Sequence, residues 1–406
     1  MENITIIKTN KFKNNSICIT VPLELDYRTT DYNLLAAILK RGCTKYPSTK
    51  VSSKYLQELY GAFFDIGISK KGEKLFLNFY IQLLDNKYAI YKEDLLKEAM
   101  LFLKEFIYNS LIIDGKFNNE YFQTEKENLK TQIVSRIDNK DEYAVEKAME
   151  LCSAGEPYAI YKYGNIERLE EIDNSELVML WSEILKSNNF FFSLCGSMEE
   201  SYAKALINEV FHVKQFDVKK HRIKKFEKRN LTEVNENMKV NQGKLTLCFK
   251  SEISLFEGDY FALAVMNSIL GGGTHSKLFN EVREKNSLAY YCYSFVEKFM
   301  GILVIAAGID GGNFKKAKEI CIQQVENIKN NIITTKELDS AKSKLTSDYK
   351  TIKDSQYTII DYLVSLRAYG IYYSLDDMIK GISDVTMDRV VKASQTLSLT
   401  TIYFIN

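Results

Sequence analysis

Residues 271–293 read GGGTHSKLFNEVREKNSLAYYCY, and the order of elements along them decides the fold. The apolar run before them, residues 259–270, has helical character, and three glycines stop it. Residues 275–284 then carry Leu278, Phe279 and Val282 on one helical face. Residues 289–295 read as an aromatic-rich strand, and residues 301–309 as a second, nearly continuous apolar strand. Helices placed before and after paired strands predict an α+β fold. The same stretch sets Arg283 seven residues ahead of Tyr290. A guanidinium offers five donors in a fixed fork, and a phenol can donate to a carbonyl or oxyanion at the same point. Donors aimed at developing negative charge are a large catalytic term. The pattern also admits a plain reading, with Arg283 paired to Glu281 or Glu284 and Tyr290 packed in the sheet.

Working outward, the halves of the chain repeat one order of elements. Residues 16–21 predict a strand closed by Pro22, and residues 32–40 an apolar helix stopped near Gly42. Residues 54–60 predict a further helix. In residues 75–81 Leu75, Leu77, Phe79 and Ile81 alternate with Phe76, Asn78 and Tyr80, the period of a strand. Long helical patterns cover residues 93–109, 119–151 and 166–186, and residues 190–195 return as a strand. The second half predicts strands at 244–249 and 398–404, with helices at 314–330, 336–368 and 375–394. LYGAFFDIGIS at 59–69 matches LAYYCYSFVEK at 288–298 in order of elements, and Lys71-Gly72 matches Met300-Gly301. A duplication is therefore expected, with domains at 1–213 and 242–406 and a polar linker at 214–241.

Composition narrows the function. At 406 residues the chain is too long for one ordinary domain, and 46% hydrophobic with 26% charged residues describes a globular protein. A formal net charge of +1 offers no long-range attraction to nucleic acid or an anionic membrane. The basic run at 214–225 is read as solvated linker. The opening residues lack a signal-peptide pattern, and the run 302–309 is far shorter than the ~20 residues that span a bilayer. Seven dispersed cysteines without a CxxC argue for free thiols in a reducing compartment, which places the chain in the cytoplasm.

His212, His221 and His275 are the only histidines. None has a partner at i+4, and no cysteine joins them at ligand spacing, so no self-contained zinc site is expected. The same scarcity weakens Ser–His–Asp and Cys–His catalysis. Ser276-Lys277 has the wrong order for a phosphate loop. An exposed sheet edge could bind peptide by strand addition, with Gly67, Gly72 and Gly301 permitting close backbone approach or, equally, ordinary turns.

With these residues in place, the chain resembles the pitrilysin-type metallopeptidases, the inverted-zincin superfamily that includes mitochondrial processing peptidase. LGGGTHSKLFNEVREKNSLAYYCYS, residues 270–294, follows that family's wording LGGGxxSxLFxxVREKxxLAYxxxS. Weaker matches cover Tyr46-Pro47, Leu59–Gly61 and Gly155-Glu156-Pro157-Tyr158 with Gly164. The resemblance implies duplicated halves with antiparallel-rich sheets flanked by helices, facing each other across a cleft. Active relatives carry HxxEH on the first-half helix and a further Glu ligand downstream. Here that helix reads YNLLAAILKRG, and side chains such as Leu34, Ala37 and Ile38 cannot bind zinc. Glu120, Glu125 and Glu127, near the downstream ligand region, have no metal to complete. The chain thus resembles the non-catalytic member of a bacterial two-component zinc peptidase, of a kind associated with elongation factor P modification. The resemblance implies a same-fold partner carrying HxxEH and the zinc, with no cofactor or catalytic residue of its own in this chain. Arg283 and Tyr290 would bind unfolded peptide substrate, and the isolated chain could form a homodimer. An inert peptide-binding or assembly protein of the same fold is the alternative.

Overall fold

The computed structural model describes residues 3–214, 216, 218 and 230–406. Two five-stranded sheets organise the chain, and both have the same topology. In the first, β1 (Ile4–Lys8), β2 (Asn14–Glu24), β3 (Phe63–Lys71), β4 (Lys74–Leu84) and β5 (Phe191–Gly196) lie in the order β1-β5-β2-β4-β3. In the second, β6 (Thr232–Glu236), β7 (Gly243–Lys250), β8 (Ala289–Glu297), β9 (Ile302–Ile309) and β10 (Ser398–Ile405) lie in the order β6-β10-β7-β9-β8. In each sheet one outer pair is parallel, β1 with β5 and β6 with β10, and the remaining pairs are antiparallel. This matched order supports the duplication more strongly than the slight identity between halves.

Six helices bear on the domain boundaries and the site: α1 (Thr29–Arg41), α2 (Asn119–Val134), α3 (Lys140–Cys152), α4 (Tyr260–Gly271), α5 (Thr335–Ile352) and α6 (Gln356–Arg367). The expected single helices at 119–151 and 336–368 are each two. Asn139 caps α3 by accepting from the Glu142 N–H, and Ser355 caps α6 by accepting from the Thr358 N–H. A cap at each break fixes a new helix axis.

Those breaks redraw the domain boundaries. One compact unit comprises Met1–Val134, Lys162–Lys220 and Lys353–Tyr372; the other comprises Ser135–Tyr161, His221–Ile352 and Tyr373–Asn406. The contiguous division at 1–213 and 242–406 is therefore corrected, because α3 belongs to the second unit and α6 to the first. Burial supplies the reason. Ala144, Ala148 and Cys152 recur at every fourth position of α3, and these small side chains let the helix lie close on Cys248, Ile302, Val304 and Tyr403. The opposite face of that sheet packs Leu245, Leu247 and Ile305 against Leu263, Met266 and Ile269 of α4. Covered on both sides, β9 is buried at all eight residues, which explains its unbroken apolar reading.

In the first unit α6 is fastened by one buried amide. Gln356 Nε2 donates to the carbonyls of Asn14 and Cys195, each at 2.7 Å, and its Oε1 accepts from Ser16 Oγ and Gln82 Nε2, each at 3.1 Å. The remaining corrections are local. Pro22 does not close its strand: β2 pairs with β5 only as far as Thr20, so the missing N–H falls beyond that ladder, where pairing with β4 continues to Glu24. The expected linker contains β6, paired with β10. Part of the basic run at 214–225, with His221, lies outside the described residues. Strand β1 and the helix Glu200–Phe211 carried no expectation.

Candidate functional site

Arg283 sits in a π-helical turn, Phe279–Lys285, where an ordinary helix at 275–284 was expected. Such turns are uncommon and concentrate at functional sites. The guanidinium lies 4.9 Å from the centre of the Phe279 ring, and its Nε is 3.8 Å from Glu284. Glu281 is engaged instead by Lys285, at 2.6 Å. About half of the arginine side chain remains exposed. The pairing with Glu284 expected on the plain reading is thus present, but it is loose.

Tyr290 is not packed in the sheet. Along β8, Ala289 pairs with Ile309 and Tyr291 with Gly308, so Tyr290 is the extra residue of a bulge. Bulges re-aim side chains, and this one leaves Tyr290 67% exposed on the outermost strand of its sheet. Its neighbour Tyr291 donates to Asp141, which Lys244 also approaches at 2.9 Å. Burial first, and that bond second, raise the Tyr291 phenol well above its ordinary value. The two adjacent tyrosines therefore differ in kind: one is tied down and neutral, the other presented. The glycine run contributes close approach. A Cβ on Gly271 would come within 2.4 Å of Ser294 N, so the end of α4 abuts β8 only because that side chain is missing.

In the first unit a cavity of about 410 Å³ lies against α1. HxxEH places its three functional side chains at i, i+3 and i+4. On α1 those positions facing the cavity are Asn33, Ala36 and Ala37. Leu34 and Ile38, expected with Ala37 to stand at the motif, are instead buried in the core. The Asn33 amide is already committed, donating to the carbonyls of Thr29 and Lys162, each at 2.8 Å. Of Glu120, Glu125 and Glu127, the cavity is lined by Glu125 alone. Its carboxylate, 12% exposed, is 2.6 Å from Arg41 Nε. The donor set does not fit zinc: two methyl groups, an amide bonded elsewhere, and a carboxylate already neutralised by an arginine. Among the described residues, no group of three or more His, Cys, Asp or Glu could hold a metal ion.

Asn33, Ala36 and the Arg41–Glu125 pair escaped the sequence reading. Laying the i, i+3, i+4 template on residues 29–48 would have found the first two, whereas the pair joins separate helices.

Comparison with known proteins agrees with this geometry. The family model "Peptidase M16 inactive domain" matches residues 172–345. "Probable inactive metalloprotease YmfF" of Bacillus subtilis strain 168 is 29% identical, over 98% of this chain and 94% of that protein. "Uncharacterized zinc protease YmxG" of the same strain is 24% identical, over 90% of this chain and 85% of that one. The crystal structure of a conserved protein from Enterococcus faecalis V583 superposes with a TM-score of 0.87 at 28% identity, covering 99% of this chain and 96% of that one. No helix among the described residues is long and apolar enough to cross a membrane. With the fold shared and the motif positions emptied, residues 172–345 match the peptidase M16 inactive domain, and the chain is similar along nearly its whole length to an inactive zinc-protease homologue.

Proposed function

We propose that the chain is the non-catalytic subunit of a two-chain zinc peptidase of the cytoplasm, supplying substrate contacts to a same-fold partner that carries HxxEH and the metal. The observation that carries this reading is a contrast between the units. The α1 face that would hold zinc presents Asn33, Ala36 and Ala37, while in the second unit a bulge leaves Tyr290 exposed and Arg283 stays half-exposed seven residues before it. An emptied metal site needs no presented tyrosine; a retained substrate site does. In this reading Arg283 and Tyr290 donate hydrogen bonds to the carbonyl under attack and steady the oxyanion as it forms. Unfolded peptides are the substrates, and they add as a strand to an open sheet edge, for which β3 and β8, each outermost on one side of its sheet, are the candidates.

The test is to purify the chain alone and together with an HxxEH-bearing chain of the same fold, then assay cleavage of unstructured peptides. Neither the chain alone nor the partner alone should match the pair. Arg283→Ala and Tyr290→Phe should each lower turnover by about tenfold or more without breaking assembly, the scale of losing an oxyanion donor or part of one. Full turnover by a pair containing both substitutions would refute the assignment. It would favour the second reading, an inert peptide-binding or assembly protein, which the edge strands alone also support.

A further inference from the structure

A second cavity, about 510 Å³, lies on the face of the first sheet opposite α1. Alternation along β3 builds it. Phe64 and Ile66 turn inward, Phe64 against Phe102 and Phe106, so Phe63, Asp65 and Ser69 turn to the other side. There Asp65 pairs in register with Tyr80 of β4. Tyr357 of α6 closes the wall: its ring stands edge-on to Tyr80 at 5.4 Å, and Phe63 lies 6.1 Å from Tyr80 on the other side. Three aromatic rings and one carboxylate thus surround a space open to solvent, with Phe63 and Tyr357 both exposed.

The carboxylate already has a cationic visitor. Lys40 Nζ is 2.6 Å from Asp65 Oδ1, although Lys40 belongs to α1, on the opposite face of the sheet. Because β3 is the outermost strand, the lysine reaches Asp65 around its free edge. Both side chains are about half exposed, so the pair is weak and readily exchanged.

We propose that this cavity is a specificity pocket for a basic side chain, lysine or arginine, of a peptide bound along β3, with Lys40 as a tethered competitor for the same carboxylate. The inference rests on the peptide-binding part of the proposed function and adds what that reading leaves open, namely which side chain is preferred. An ammonium or guanidinium entering the cavity meets aromatic rings and one negative charge, a combination that favours a cation over a neutral chain of equal length. A peptide strand on the β3 edge directs alternate side chains to this face. Lys40 must yield as the ligand cation arrives, so the protein sets its own threshold for basic ligands.

The experiment measures binding of labelled, unstructured ten-residue peptides to the full chain by fluorescence anisotropy. The peptides are identical except for one central residue: lysine, arginine, norleucine or glutamate. The wild-type chain should bind the lysine and arginine peptides about five- to tenfold more tightly than the norleucine peptide, and the glutamate peptide least. Asp65→Asn and Tyr357→Leu should each bring the lysine-to-norleucine ratio close to one, while Lys40→Met should raise it by about threefold. Far-ultraviolet circular dichroism checks that each variant is folded, and the isosteric Asp65→Asn guards against loss of structure. Equal binding of lysine and norleucine peptides by the wild-type chain overturns the pocket and leaves peptide binding standing. A preference that survives Asp65→Asn and Tyr357→Leu together also overturns it. Absence of binding by every peptide overturns the pocket and the peptide-binding reading alike.

Discussion

Removing the guanidinium of Arg41 tests whether the cavity beside α1 is held together by an internal charge pair. Arg41→Met keeps the apolar stem and deletes the charge. Glu125, 12% exposed, then faces Ala36 and Ala37 with little access to water. A buried charged acceptor left without its partner costs about 1–3 kcal/mol. The guanidinium also lies 5.6 Å from the centre of the Tyr121 ring, a contact worth about 0.5 kcal/mol where partly exposed. Since Arg41 is itself about one-third exposed, a value near the middle of the range, about 2 kcal/mol, is expected. Replacing both partners, Arg41→Met with Glu125→Leu, should recover most of the loss, because an apolar pair of similar volume substitutes well for a buried ion pair. Urea unfolding followed by tryptophan fluorescence provides the assay. Trp181 is the sole tryptophan, is 1% exposed and lies within the first unit, so its signal reports on the unit that holds the pair. A single-variant loss below about 0.5 kcal/mol, with no coupling between the two substitutions, would refute the reasoning.

Three further outcomes are expected. Gln356→Leu removes four hydrogen bonds, two buried and two partly buried, and strands two carbonyls, so the first unit should lose about 3 kcal/mol, read by the same fluorescence; a loss under about 1 kcal/mol would show that α6 is held by packing alone. The Arg389 guanidinium grips Asp259 through two hydrogen bonds of 2.7 and 2.9 Å and holds its carboxyl below the usual value. That stabilisation is present above the unfolded value of about 4 and is lost as pH falls through the lower folded value. Arg389→Met should therefore melt earlier than wild type at pH 7, by an amount limited to about 1 kcal/mol by solvent screening, and the gap should close in acid; a gap independent of pH would contradict the pairing. Finally, zinc titrated into the isolated chain should give no stoichiometric heat in calorimetry, and tight one-to-one binding would contradict the geometry at α1.

Much of this architecture is written in local pattern. The alternation of residues 75–81, the apolar run 302–309 and the glycines closing α4 depend on near neighbours, and each produced its element within a few residues. The features that stayed hidden depend on distant partners. Strand β6 reads as polar linker because it is exposed or half-buried throughout, and it exists by pairing with β10. The breaks before α3 and α6 rest on single capping side chains inside long helical patterns, and nothing local says which sheet the next helix covers. The site shows the same division. Arg283 and Tyr290 were legible as a spaced pair, but the bulge that presents Tyr290 is a mismatch of register with β9. Asn33 and Ala36 lie within a legible helix, yet the wall they form needs Glu125 from α2 to become a cavity.

The exchange of α3 and α6 between the units also fixes an order of events during synthesis. The first unit is encoded from residue 1, yet it needs Lys353–Tyr372, near the end of the 406-residue chain. While the ribosome is still working, β2 and β5 wait with the carbonyls of Asn14 and Cys195 unclaimed. The amino-terminal unit is therefore begun first but cannot close until Tyr372 has been made, and the second unit waits longer still, for Tyr373–Asn406. A nascent chain of this kind needs its early strands kept from other partners until Gln356 emerges.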